Sequence, residues 1–145
     1  MKEKNVNKER RTAEILLSDI AGKIKEIERE PERLKKSVFL NGYYKEVQDA
    51  HKGLYNFLND GGDGKNYVDG MIELKALCKV KADELSGKTD LLSNGKLKAL
   101  LDLGTGFGKA AEIMSGKKGG MLFSGIDLER ECRKEENRKM KRGRR

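Results

Sequence analysis

Residues 97–108 read Leu97-Lys-Ala-Leu-Leu-Asp-Leu-Gly-Thr-Gly-Phe-Gly108, and the fold of the C-terminal third turns on how this stretch is read. As a strand followed by a turn, the apolar run Leu97 to Leu103 leads into Gly104, Gly106 and Gly108. Glycines at such a turn let the backbone approach a ligand without a Cβ clash. The helix-compatible Lys109 to Met114 follows, and a second apolar run, Met121 to Ile126, ends in Asp127. A carboxylate at that place can accept hydrogen bonds from ribose hydroxyls. On this reading, residues 98–103 and 121–126 pair as parallel strands. As helix, Leu97 to Leu103 simply continues a helical segment, and the glycine triplet arises by chance in a chain with 17 glycines among 145 residues. A glycine pattern alone is a weak signal, and Asp127 strengthens it.

Upstream the chain reads as helix. From Ala13 to Arg29, Leu16, Ile20, Ile24 and Ile27 recur at steps of four, four and three, with Ala13, Leu17 and Ala21 beside them. That spacing marks one face of an amphipathic helix. Pro31 ends or kinks it, because the ring removes a donor and disfavours helix in Glu30. Helix restarts at Pro31 and runs through Leu34 and Val38 toward Asn41-Gly42, a stop signal. Tyr43, Val47, Ala50, Leu54 and Phe57 form the next stripe, and the nearby aromatics make it the expected hydrophobic anchor. Asp60 to Gly64 break the helix, and Asn66 to Leu85 resume it with a broad apolar face near Cys78. Ser86 to Asp90 and Ser93-Asn94-Gly95 are rich in turn residues.

The formal net charge is +8, and 39% of residues are charged against 36% hydrophobic. The surplus lies at the two ends. Residues 1–11 hold five basic and two acidic side chains, and residues 129–145 hold nine and four. Thr12 to Leu128 is balanced at 18 of each. A neutral body between cationic ends points to arms that meet phosphate while the middle folds or self-associates. The expected contacts are Arg10 and Arg11 at one end. At the other they are Arg133, Lys134, Arg138, Lys139, Lys141, Arg142, Arg144 and Arg145. Cys78 and Cys132, with only His51 to help, cannot supply a four-ligand zinc site. No apolar run approaches a membrane span, and the first residues lack signal-peptide character, so an intracellular place, cytoplasmic or nuclear, is expected.

Residues 97–130 resemble the first motif of the class I S-adenosylmethionine-dependent methyltransferases, in which an LDLGTGFG-like turn follows the first strand and the acidic residue of GID ends the second. Carried over by position, the resemblance implies Asp102 near the methionine part of the cofactor, with Gly104, Gly106 and Gly108 lining the bend beneath it. It also implies Asp127 on the ribose hydroxyls. Only 18 residues follow Asp127 in this sequence, whereas the family's fold needs several more strands. Unfinished, such a sheet would leave strand edges unpaired, so the resemblance implies an incomplete enzyme. A second resemblance joins the two ends. Arg11 to Glu30 is similar to the start of the hepatitis delta antigens at Glu14-Ile15-Leu16 and Ala21-Gly22, and Asp127 to Arg145 is similar to their basic region in charge. It implies self-association and RNA binding.

The sequence thus predicts a mainly α protein: a small helical bundle or oligomeric coil with basic, partly disordered ends, and two short strands in the C-terminal third. Residues 1–11 form a basic arm, 12–95 a helical domain, 96–128 a glycine-rich segment and 129–145 a basic tail. The leading functional expectation is binding of nucleic acid, RNA favoured, through the charged ends, with no catalytic residue and no cofactor. The alternatives are an S-adenosylmethionine-binding methyltransferase fragment and a helical protein-interaction module. A homo-oligomer or a partner helix is expected, and no membrane.

Overall fold

The computed structural model describes residues 2–60, 65–117, 119–128 and 130, with side chains from residue 8 onward. Its helices are α1 (Lys2–Glu28), α2 (Pro31–Lys36), α3 (Val38–Asn59), α4 (Tyr67–Glu84) and α5 (Leu91–Met114). The mainly α expectation holds. Residues 2–11, assigned to the basic arm, belong to the same helix as the apolar stripe that follows.

The two strands are corrected. Leu97 to Leu103 lies in the middle of α5, and 121–126 runs without helix or strand pairing, so no described residue is in a strand. The reason is packing. Ala99, Leu103, Phe107, Ala110 and Met114 recur at steps of four, four, three and four and are all buried. That helical period carries straight through the glycines.

Asp90 starts α5 by accepting the Ser93 N–H at 3.0 Å, so Ser93-Asn94-Gly95 is the first turn of a helix rather than a loop. Asn41-Gly42 likewise lies inside α3, and the break falls earlier, at Ser37. The Ser37 hydroxyl accepts the Leu40 N–H at 3.0 Å and so takes up one of the unpaired donors of the first turn. Pro31 opens α2 as expected, at the position where its missing N–H costs nothing.

Two of these supposed breakers are where α3 and α5 cross. A Cβ on Gly42 would collide with the Leu92 carbonyl oxygen, and one on Gly95 would collide with the Phe39 carbonyl oxygen. The two backbones therefore touch, which only glycine permits. Helix α5 is the centre of the fold, packed against α3 and α4 and more lightly against α1. Leu16, Ile20 and Ile27 of α1, Leu40, Tyr43 and Leu54 of α3, Met71 of α4 and Phe107 of α5 are almost wholly buried. Tyr43 is thus the aromatic anchor, whereas Tyr55 is 53% exposed.

Candidate functional site

Arg10 and Arg11 lie on the exposed surface of α1. The Arg10 guanidinium donates to Glu14 Oε1 at 2.9 Å one turn on, a pair open to solvent and so weak. The eight tail residues expected to meet phosphate, from Arg133 to Arg145, lie outside the described residues.

The segment that precedes that tail is held by the bundle. Residues 119–128 form a strap across the bundle, with Leu122, Phe123, Ile126 and Leu128 buried. Both backbone polar groups of Ile126 are satisfied by side chains from other helices. Its carbonyl accepts from Lys23 Nζ at 2.8 Å, and its N–H donates to the Tyr43 hydroxyl at 3.1 Å. That hydroxyl donates in turn to Asp102 Oδ2 at 2.9 Å, and Lys98 Nζ holds Asp102 Oδ1 at 3.0 Å. Burial, then the Asp102 charge, pushes the Tyr43 hydroxyl far above the usual tyrosine range, so it remains a donor. Gly125 makes the approach possible. Its φ of +72° is left-handed, and a Cβ there would sit 2.8 Å from Lys23 Cε and 2.9 Å from the Tyr43 oxygen.

Asp102 therefore serves the strap, as an acceptor for Tyr43 and Lys98. Asp127 is exposed, and its Oδ1 accepts the Arg130 N–H at 3.2 Å, where the chain turns into the tail. Nothing in the sequence marks Lys23 or Tyr43 as a polar partner of the strap. Lys23 sits on an amphipathic helix and would be read as solvated, yet the residue is only 8% exposed. Tyr43→Phe removes the hydroxyl that joins Asp102 to Ile126 and leaves both without it. Loss of a bond that satisfies buried groups costs about 1–3 kcal/mol. A urea melt of Tyr43→Phe should show a lowered midpoint with an unchanged slope, which separates loss of stability from loss of compactness.

The glycines do not form a turn. Gly106 faces inward, where a Cβ would lie 3.0 Å from the Leu122 carbonyl oxygen of the strap and 3.3 Å from Leu16 Cδ1. Gly104 and Gly108, one turn apart on the other side, border an open groove of about 620 Å³ between α4 and α5. Its floor is Cys78 and Leu100, and its walls include Leu101, Thr105, Lys75, Lys79 and Lys109. So the structure places Asp102 and Gly106 toward the strap and Gly104 and Gly108 toward the groove.

A smaller cavity of about 40 Å³ lies between α3 and α4, against Leu74, Leu77 and Cys78. Glu46 borders it, and its Oε2 has no hydrogen-bond partner, with Lys81 Nζ 3.6 Å away. Burial pushes the Cys78 thiol up to about 11, so it is protonated at neutral pH and behaves as a small hydrophobe. Among the described residues no group of three or more His, Cys, Asp or Glu is placed to hold a metal ion. None of the described helices is long and apolar enough to cross a membrane. No family model, curated protein or solved structure matches the chain.

Proposed function

We propose that this chain is a helical nucleic-acid-binding protein, with RNA favoured, whose basic ends supply the phosphate contacts. The observation that carries the reading is the segregation of charge: +3 and +5 at the ends, zero between them. A surplus of lysine and arginine that merely kept the chain soluble would have no reason to lie only at the ends. Arg133, Arg138, Arg142, Arg144 and Arg145 are the main contacts, because a planar guanidinium binds phosphate with two parallel hydrogen bonds. Lys134, Lys139 and Lys141 add point charges. Nothing in the set reads base edges, so binding is weakly selective and strongly dependent on salt. The pinned strap supports the reading from the other side, since Lys23 and Tyr43 hold the residue three positions before the tail begins.

The test is a titration of labelled RNA and duplex DNA with the full chain and with the chain ended after Leu128. Binding by the full chain that disappears with the tail is the expected result. Equal binding by the shortened chain, or none by the full chain, would refute the proposal.

A further inference from the structure

One line of side chains on α1 takes no part in the core. Lys8, Arg11, Ile15, Ser18, Gly22 and Lys25 follow one another at alternating steps of three and four, which sets them in a row along the helix. Arg29, whose N–H bonds the Lys25 carbonyl at 3.0 Å, extends the row just past the helix end. All of these residues are exposed. Lys8, Arg11, Lys25 and Arg29 are cations, and no member of the row is acidic. A seam for another helix would need apolar side chains at these steps, and only Ile15 supplies one.

The carboxylates beside the row each have a donor of their own. Glu14 accepts from Arg10 at 2.9 Å, Glu26 from Lys23 at 3.0 Å and Glu28 from the Tyr44 hydroxyl at 2.7 Å. Asp19 is separated from each of the four cations by at least six positions in the chain. Among the described residues no carboxylate forms an ion pair with Lys8, Arg11, Lys25 or Arg29. The helix dipole accounts for a cation in the last turn, but it does not reach Lys8 or Arg11. Between the two pairs of cations the row is low. A Cβ on Gly22 would meet nothing within 4 Å, so the packing does not call for glycine there, although glycine weakens a helix interior relative to alanine. With Ser18 it leaves a shallow saddle open to close approach by another chain.

The strap brings the tail to this same helix. Lys23 Nζ fixes the Ile126 carbonyl at 2.8 Å, and Lys25 and Arg29 stand about 3 Å and about 9 Å further along the axis. Arg130, exposed and four residues beyond Ile126, lies within about 14 Å of that anchor. We infer that the exposed row of α1 is a second phosphate-binding surface, on which a nucleic-acid strand engaged by the tail also lies, with Lys25 and Arg29 taking phosphates next to those held by the tail. This surface depends on the nucleic-acid reading and adds to it two cations from the neutral body of the chain. It supplements the tail and does not replace it. Four charges spread over about 30 Å hold a strand weakly by themselves, but beside a bound tail they act at a raised effective concentration.

Fluorescence anisotropy of a labelled single-stranded RNA with the full chain carrying Lys25→Gln and Arg29→Gln tests this. Two lost contacts should lower the slope of log affinity against log salt by about 1.4, and the affinity at about 0.1 M salt by roughly twentyfold. Lys52→Gln with Lys79→Gln, on exposed positions of α3 and α4, removes the same charge away from the row and should leave both nearly unchanged. Ser18→Glu sets a negative charge in the saddle and should also weaken binding, with helix content unchanged. Parent-like binding by either the Lys25 and Arg29 double variant or the Ser18 variant overturns the inference and leaves tail-dependent binding standing. An equal loss in the Lys52 and Lys79 control overturns it too, because net charge alone would then explain the effect. A full chain that binds no RNA brings down the nucleic-acid reading itself, and this surface with it.

Discussion

Gly95→Ala is expected to be the most damaging single methyl that can be added to this protein. The new Cβ would be placed 2.8 Å from the Phe39 carbonyl carbon and 3.1 Å from its Cα, as well as against the carbonyl oxygen. No side chain can swing aside to relieve a clash with backbone. Helices α3 and α5 must separate, and that loosens the packing between them, where Leu40, Tyr43, Ala99 and Leu100 are all buried. Overpacking in a core that can adjust costs about 1–3 kcal/mol, and this site lies at or above the upper end because it cannot. Against a total stability on the order of 5–15 kcal/mol, a loss of about 3 kcal/mol is a large fraction. It corresponds to a fall in melting temperature of roughly 10 °C for a domain of this size. Gly42→Ala attacks the same crossing from the other helix, at the Leu92 carbonyl, and should act in the same direction. Thermal melts followed by circular dichroism decide the matter. An unchanged melting temperature for Gly95→Ala would mean that α3 and α5 are not in backbone contact.

The second large effect is expected in the tail. Replacing Arg133, Arg138, Arg142, Arg144 and Arg145 together by glutamine removes five potential phosphate contacts. Each contact on a single strand contributes about 0.7 to the slope of log affinity against log salt. Five of them sum to about 3.5, so at about 0.1 M salt the affinity for RNA should fall on the order of a thousandfold. The same five positions changed to lysine keep the charge and lose the two-pronged geometry, so they should retain most of the affinity. If the glutamine variant binds as the parent does, the arginines are not the contacts. If the lysine variant fails as badly as the glutamine variant, charge is not the main source of the affinity. Fluorescence anisotropy with a labelled single-stranded RNA reads both.

The helices were legible where the apolar spacing is local. Leu16, Ile20 and Ile27 appear in the sequence as one face of a helix and are buried as one face. Pro31 marks the break between α1 and α2 because its ring acts on its immediate neighbours. The glycines are harder to read because their role is not local. Gly42 and Gly95 look like breakers beside Asn41 and Asn94, and only the meeting of two helices 53 residues apart in the chain shows that they are crossing points. The stretch 97–108 held two patterns at once, a glycine triplet and a helical repeat of buried side chains. The repeat prevailed because α5 has three other helices to pack against.

The candidate site was legible only in its charge. Asp102 stood out beside the glycines, but its partner Tyr43 is 59 residues away, and Lys23 reaches Ile126 across 103. Nothing in the local sequence marks a lysine or a tyrosine for that purpose. The groove beside Gly104 and Gly108 was equally hidden. It exists because α4 lies alongside those two glycines, a fact of packing rather than of spacing.

The most direct test of the central claim is the affinity of the full chain for a labelled single-stranded RNA measured across a series of salt concentrations. Phosphate binding by the basic ends should give a straight line of log affinity against log salt with a steep negative slope, and removal of residues after Leu128 should flatten it. Affinity that stays level as salt rises, or a slope that the shortened chain keeps in full, would contradict the claim that the charged ends bind nucleic acid.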